Sequence, residues 1–322
     1  MKLTKLFTSA LLVASLAGCS SSTTTTSTAP STAASTGDTT TATTGEIHVY
    51  TRDASSGTRE AFEDAIGLED GALTATASEV SSNGDMATRV GQDAAGIGYT
   101  SLTTDFEANN VKPLTFEGVE ATTETVLDGS YQMQRPFNFV TRAEGDYESD
   151  DLEQLVEAFI AYITESTEGK SVIESAGGIV DYTDAKPWEE IAANYPVLNQ
   201  DNSGLTIRTG GSTSVENCIR AALEAFQPLA GNVQFAMNQT GSGDACPRTL
   251  GDEKDGPNAI DIGFASRAFK DDEDVSGAIE SGTFCLDAVV VVVNSANTLT
   301  DVDAETMVGI YSGAITSYDE VQ

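Results

Sequence analysis

Within a short span, Arg52-Asp53-Ala54-Ser55-Ser56-Gly57-Thr58-Arg59 brings together arginine, hydroxyl side chains and a glycine. Hydroxyls and backbone N–H groups donate hydrogen bonds, glycine lets the backbone approach closely, and a guanidinium adds charge. Converged on one point, they make a receptacle for a small oxyanion. The set recurs as Gly210-Gly211-Ser212-Thr213-Ser214-Val215 and Thr240-Gly241-Ser242-Gly243-Asp244-Ala245, and the stretch from Ala259 ends in Ser266-Arg267. Glycines at strand ends are commonly structural, so one such loop is weak evidence; repetition strengthens it. Rival chemistries lack their parts. No Gly-x-x-x-x-Gly-Lys-[Ser/Thr] loop occurs, the single histidine, His48, lies in a strand pattern, and the cysteines lack metal-site spacing. These features argue against a phosphoryl-transfer enzyme, a metal and a cofactor.

The loops need elements to aim them. Ile47 to Tyr50 alternates apolar and polar residues as a strand, and Glu60 to Ile66 reads as a helix, so the first loop precedes a helix N-terminus whose dipole favours an anion. Leu205 to Thr209 before the helical Glu216 to Phe226, and Val233 to Met237 before the third loop, repeat the strand–loop–helix unit. Ser81 to Val90 predicts another polar helix start, followed by a strand at Gly96 to Thr100. Leu286 to Asn294 is apolar on both faces, as expected of a central strand covered by helices. Arg135 to Val140 predicts a strand that crosses between lobes. Leu152, Leu155, Val156, Phe159 and Ile163 recur at helical spacing and predict a core-facing helix over Asp150 to Thr164. Trp188 is expected in packing rather than ligand stacking.

The 322 residues suffice for two lobes. With 16 Lys+Arg against 50 Asp+Glu, the formal charge of -34 disfavours nucleic acid and anionic membrane surfaces as partners. Lys2 and Lys5 before the apolar run Leu6 to Leu16 read as a secretion signal over residues 1–18, too short to span a bilayer comfortably. Its end, Leu16-Ala17-Gly18-Cys19, is similar to the lipobox of bacterial lipoproteins, in which the cysteine is lipidated. Residues 19–45 are the lipidated cysteine and a Ser/Thr/Ala-rich tether with too little apolar content for a core. The protein is thus expected at the extracytoplasmic face of the cell membrane. Of the other cysteines, Cys218 and Cys246 each follow a glycine loop at a helix start and are the pair expected to bridge, leaving Cys285.

Across nearly all of residues 46–322 the chain resembles the phosphate-binding proteins of Pst-type ABC importers, in the type II periplasmic-binding-protein superfamily. Arg52 to Thr58, Gly211 to Val215, Thr240 to Gly243, Asp261 to Arg267 and Tyr311 to Val321 carry the likeness. It implies an α/β, two-lobed Venus-flytrap fold, each lobe a central β-sheet flanked by helices. The segment order differs from the usual one: the Gly-Ser-Thr-Ser-Val block normally lies near the mature N-terminus, and the strand matching Ile47 to Val49 normally follows the segment matching Thr316 to Val321. A circular permutation is therefore expected, with the new join within residues 177–204. Lobe A would combine 46–136 with 291–322, and lobe B would be 137–290. The resemblance implies phosphate contacts from Arg52, Ser56, Gly57 and Thr58 on one wall and Thr213, Ser214 and Ser242 on the other, with Ser266 and Arg267 beside them. Some members carry at the position of Arg267 an aspartate that accepts the phosphate proton; with arginine there, Asp287 is the substitute and Asp53 the next choice, unless Asp287 simply pairs with Arg267. The implied function is a monomeric lipoprotein that delivers inorganic phosphate to an ABC importer permease. The alternatives are another tetrahedral oxyanion such as sulfate, or a sensory or surface phosphate binder.

Overall fold

The computed structural model describes residues 43–321. The signal peptide, Cys19 and most of the tether lie outside the described residues. The strands are β1 (His48–Arg52), β2 (Ser78–Val80), β3 (Gly96–Ser101), β4 (Val111–Pro113), β5 (Thr115–Phe116), β6 (Gln134–Thr141), β7 (Thr206–Gly211), β8 (Gln234–Gln239), β9 (Ile262–Ala265), β10 (Ser281–Asn294) and β11 (Asp301–Val302). The helices are α1 (Gly57–Ile66), α2 (Asn83–Gln92), α3 (Thr123–Leu127), α4 (Asp150–Glu165), α5 (Thr167–Ser175), α6 (Trp188–Ala192), α7 (Glu216–Phe226), α8 (Ala245–Thr249) and α9 (Ala304–Ser312).

One sheet runs β2-β1-β3-β10-β6-β9-β7-β8, with β4 joining β10, while β5 and β11 pair separately. Parallel strands occupy both flanks, β1 with β2 and β3, and β7 with β8 and β9. At the centre β10 is antiparallel to everything it touches: its first half pairs with β6 and its second half with β3 and β4. The valine run Val289 to Val293 is buried throughout, as its two apolar faces require. Each such side chain is worth about 1.5–3 kcal/mol relative to exposure.

Two separate apolar cores hang on this sheet. Phe62, Met86, Tyr99, Val289 to Val293, Ile310 and Tyr311 belong to one. The other gathers Phe137, Phe159, Ile207, Phe226, Phe264 and Phe284. Core membership changes between Met133 and Phe137, and again between Cys285 and Ala288, so β6 and β10 are the two crossings; Ile179, bridged to Leu286, lies between them in sequence yet packs with the first core. The α/β, two-lobed fold expected from the sequence is the one observed. The α4 stripe Leu152, Leu155, Val156, Phe159 and Ile163 is buried in the second core, behind the Ser149 side chain that accepts from the Leu152 N–H. Trp188 packs edge-on against Tyr162 and Phe226 in that core.

The start and the end of the described chain lie side by side. Ile47 N donates to Thr316 O at 2.9 Å, and Tyr318 N to Gly45 O at 2.9 Å, so the two segments remain neighbours as a reordered chain requires. The cysteine expectation fails. Cys218 and Cys285 flank Gly178, their sulfurs 3.2 and 3.0 Å from where a Cβ on that glycine would stand. Cys246 sits elsewhere, its thiol directed at the Asp274 carbonyl. Two helix starts in one lobe need not face each other, and β10 brings Cys285 to Cys218 instead.

Candidate functional site

The Arg52–Thr58 loop leaves β1 and enters α1 between the two cores. Ser56 caps α1 by accepting from Arg59 N at 3.3 Å, and Arg59 Nη1 holds the Arg52 carbonyl at 3.0 Å, which fixes the loop. The first N–H groups of the helix have no intrahelical acceptors and lie at its positive end. Arg52 itself is buried. Its guanidinium donates to Asn83 Oδ1, Asp53 Oδ2 and the Ser81 carbonyl, each at 3.2 Å, while its Nε–H meets no acceptor. Burial pulls its pKa down from the ordinary guanidinium value, and Asp53 partly offsets this.

The facing wall comes from the loops after β7, β8 and β9. Gly57 lies so close to them that a Cβ there would stand 2.9 Å from Ser242 Cβ and 3.1 Å from Ser266 Oγ, so only glycine fits. Gly243 N donates to Ser55 O at 3.1 Å, and Thr58 Oγ1 lies 2.8 Å from Ser214 Oγ. The walls are closed on each other. Ser214 Oγ also receives Asn83 Nδ2 at 2.7 Å and Arg135 Nη2 at 2.9 Å. Because an arginine only donates, Arg52 fixes the Asn83 amide with its oxygen toward Nη1 and its nitrogen toward Ser214. Ser214 then accepts twice, so its own hydrogen goes to Thr58, and the Thr58 hydroxyl hydrogen is left to donate elsewhere. Ser242 Oγ accepts from Ser266 N at 3.0 Å and lies 3.2 Å from Ser266 Oγ.

Beneath these hydroxyls sits a buried ion pair. Arg135 Nε and Nη2 donate to Asp287 Oδ2 at 2.9 and 2.8 Å, Nη1 reaches Ser266 Oγ at 3.3 Å, and Ser101 donates to Asp287 Oδ1 at 2.9 Å. Burial pulls Arg135 down from its ordinary pKa and pushes Asp287 up, each partly offset by the other. Such a pair costs desolvation and persists because hydrogen bonds satisfy the atoms around it.

Of the residues expected at the site, Arg52, Gly57, Thr58, Ser214, Ser242 and Ser266 come together, Ser56 caps the helix that aims them, and Thr213 lies half-buried beside Ser214. Two expectations change. Arg267 turns its guanidinium away from Asp287, to Glu273 at 2.6 and 2.8 Å and to Glu60 at 3.0 Å, because those carboxylates flank it on the sequence and on α1. Asp287 therefore pairs with Arg135, not Arg267. Its oxygens already take three donors, which leaves it little capacity as an acceptor for a ligand proton. Asp53 accepts from Ser55 N at 3.1 Å and Arg52 Nη2 at 3.2 Å and so shapes the loop. Sequence reasoning missed Arg135, Asn83 and Ser101 as parts of the cluster. The one available signal was an arginine at the head of the crossing strand in a chain poor in basic residues.

Two lobes on a shared sheet, with donors converging from loops on both sides, define a periplasmic-binding-protein architecture. The model of the PBP superfamily domain matches residues 26–168 and 196–322, and the unmatched stretch overlaps the one expected to hold the join. The chain is 31% identical over 285 residues to "Phosphate-binding protein PstS 2" of Streptococcus pneumoniae serotype 4, covering 86% of this chain and 88% of the relative. It is 28% identical over 285 residues to the protein of the same name from Streptococcus agalactiae serotype V. A crystal structure of a phosphate ABC transporter, phosphate-binding protein from Streptococcus pneumoniae TIGR4 superposes with a TM-score of 0.61 at 29% identity, over 86% of this chain and 100% of that one. The chain belongs to this family of phosphate-binding proteins. Since one alignment spans most of both chains, the streptococcal relatives share its segment order, which is therefore not peculiar to this protein.

Proposed function

We propose that the protein binds inorganic phosphate between its lobes and delivers it to the permease of an ABC importer. The supporting observation is a pair of unspent donors in a closed cleft: the Arg52 Nε–H, buried without an acceptor, and the Thr58 hydroxyl hydrogen that the surrounding hydrogen bonds leave free. Buried donors are almost always satisfied, so the pair calls for an acceptor from outside the protein. Arg52, Ser56, Gly57 and Thr58 supply one wall, Thr213, Ser214, Ser242 and Ser266 the other, and Arg135, seated on Asp287, the floor. We take the lobes as 46–136 with 291–322 and 137–290; the division of the two cores supports these bounds except at Ile179, Leu286 and Ala288 to Val290, which pack with the first core. A monomer anchored through lipidated Cys19 outside the cytoplasm completes the reading; no helix among the described residues is long and apolar enough to cross a membrane. A surface carboxylate excess does not oppose anion binding, because charges beyond about 10 Å are screened at 0.1 M salt while the cleft groups act at contact.

The three donors already on Asp287 favour a second reading, in which other tetrahedral oxyanions compete, since a free buried carboxylate is what would reject unprotonated sulfate. Calorimetric titration of the purified protein with phosphate and with sulfate, at about pH 6 and about pH 8, decides between them. Phosphate alone binding supports the first reading, equal affinities support the second, and no binding of either anion sinks the site.

A further inference from the structure

Arg267 directly follows Ser266 of the binding cluster, yet its guanidinium belongs to a different structure at the rim of the cleft. Glu60, one turn into α1, lies 3.0 Å from Arg267 Nε and 3.0 Å from Lys270 Nζ, the first contact being an ion pair rather than an aligned hydrogen bond. Glu273 holds Arg267 from behind through both terminal nitrogens. The helix bearing Glu60 packs its Phe62 and Ile66 in the first core, whereas Arg267 follows β9, whose Ile262 and Phe264 pack in the second. These ion pairs therefore span the lobes and exist only when the cleft is shut. They also lie next to the binding cluster in sequence, Glu60 two residues after Thr58 and Arg267 directly after Ser266.

Building on the phosphate reading, we propose that Glu60, Arg267 and Lys270 form a latch that sets how long the closed cleft retains its anion. Glu60 directs its carboxylate to Arg267 and Lys270 and is a positioning residue. It is half-exposed, so removing its charge leaves the folded lobes intact and acts on opening. Glu60 and Lys270 face water while Arg267 is buried, so salt weakens the Glu60–Lys270 part of the latch most and leaves the buried cluster largely unaffected.

The test compares the full chain in detergent with its Glu60→Gln variant, measuring release of radiolabelled inorganic phosphate into excess cold phosphate, at about 0.05 M and about 0.5 M salt. Release about 3- to 10-fold faster in Glu60→Gln at low salt, with unchanged association and with a difference that shrinks at high salt, supports the latch. Lys270→Gln, which leaves the Glu60–Arg267 contact in place, should speed release in the same direction by a smaller factor. Equal release rates in the variant and the original chain overturn the latch while leaving phosphate binding standing. Failure of the original chain to bind phosphate overturns both.

A second observation stands apart from the cleft. Cys218, on α7, and Cys285, at the bulge of the crossing strand β10, are both buried free thiols in this structure and crowd the same point beside Gly178, with Cys218 Sγ directed at the Ile173 and Ala176 carbonyls. The geometry points to a disulfide between them in the secreted protein, formed before the core closes: the two thiols give two protons and two electrons to a disulfide-bearing thiol oxidoreductase, which leaves as a dithiol. Peptide mapping after alkylation without reductant should return a linked Cys218–Cys285 peptide and an alkylated Cys246. Alkylation of all three cysteines in the secreted protein, or a Cys218–Cys246 link, overturns it.

Discussion

Two arginine–carboxylate pairs lie close together in this molecule and behave in opposite ways. On the cleft floor, Arg135 and Asp287 are wholly enclosed, and burial drives both toward their neutral forms, the guanidinium down and the carboxyl up. At the rim, burial acts on Arg267 and Glu273 in the same sense but is outweighed by their contact, so the arginine is held above its ordinary value and the glutamate below it. The distances are similar, about as short at the rim as on the floor. What differs is water: the rim pair keeps part of its hydration and gains from contact, while the floor pair has given its hydration up and survives on Ser101, Ser214 and Ser266. The floor suits a ligand that replaces lost hydration; the rim suits a switchable contact.

The largest expected effect comes from breaking the floor. Asp287→Ala leaves a buried guanidinium without its counter-ion and should destabilise the fold by about 3–5 kcal/mol, read as a drop in thermal midpoint of roughly 10 °C. A smaller loss than in Glu273→Ala would contradict the distinction just drawn. Next comes the ligand. Arg52→Met removes a charged buried donor and should weaken phosphate binding about 100-fold in calorimetry with little loss of folding cooperativity. Thr58→Val keeps shape but removes the free hydroxyl and should cost about 10-fold.

The smallest effect sharpens the rim. Glu273 has a folded pKa below its ordinary 4.5, so its contribution to stability is present above 4.5 and is lost as pH falls through the folded value. The difference in urea midpoint between the original chain and Glu273→Gln should therefore close on acidification. Asp287 has the opposite sign: with a raised folded pKa, the native state takes up its proton first, so acidification favours the native state at that group. A Glu273→Gln difference that grows below pH 4.5 would reverse the assignment of the rim.

What the sequence made legible was local. A glycine and hydroxyls between a strand and a helix announce themselves within eight residues, so the loops at Arg52 to Thr58, Gly210 to Val215 and Thr240 to Ala245 could be read directly, while Ser214 and Ser242 were singled out by the family resemblance, and the apolar run of β10 declared a central strand. Arg135 could not be read in this way, because its partners Ser214, Ser266 and Asp287 lie 79, 131 and 152 residues away and meet it only through the sheet. Asn83 looked like a helix start and is one; that its amide also bridges Arg52 to the opposite lobe depends on closure. Arg267 illustrates the reverse case. Likeness to relatives located the position, but Glu273 six residues on, and Glu60 across the cleft, decided where its charge went.

The two crossings carry a mechanical consequence. β6 and β10 are hydrogen-bonded to each other along Gln134 to Val140 and Ser281 to Ala288, so the lobes are joined by a single ribbon rather than two independent cords. Such a ribbon bends across its strands more readily than it shears along its length. Opening should thus have essentially one degree of freedom: distances between spin labels placed anywhere on the two lobes should vary together along one curve, as the leaves of a door do about its pin.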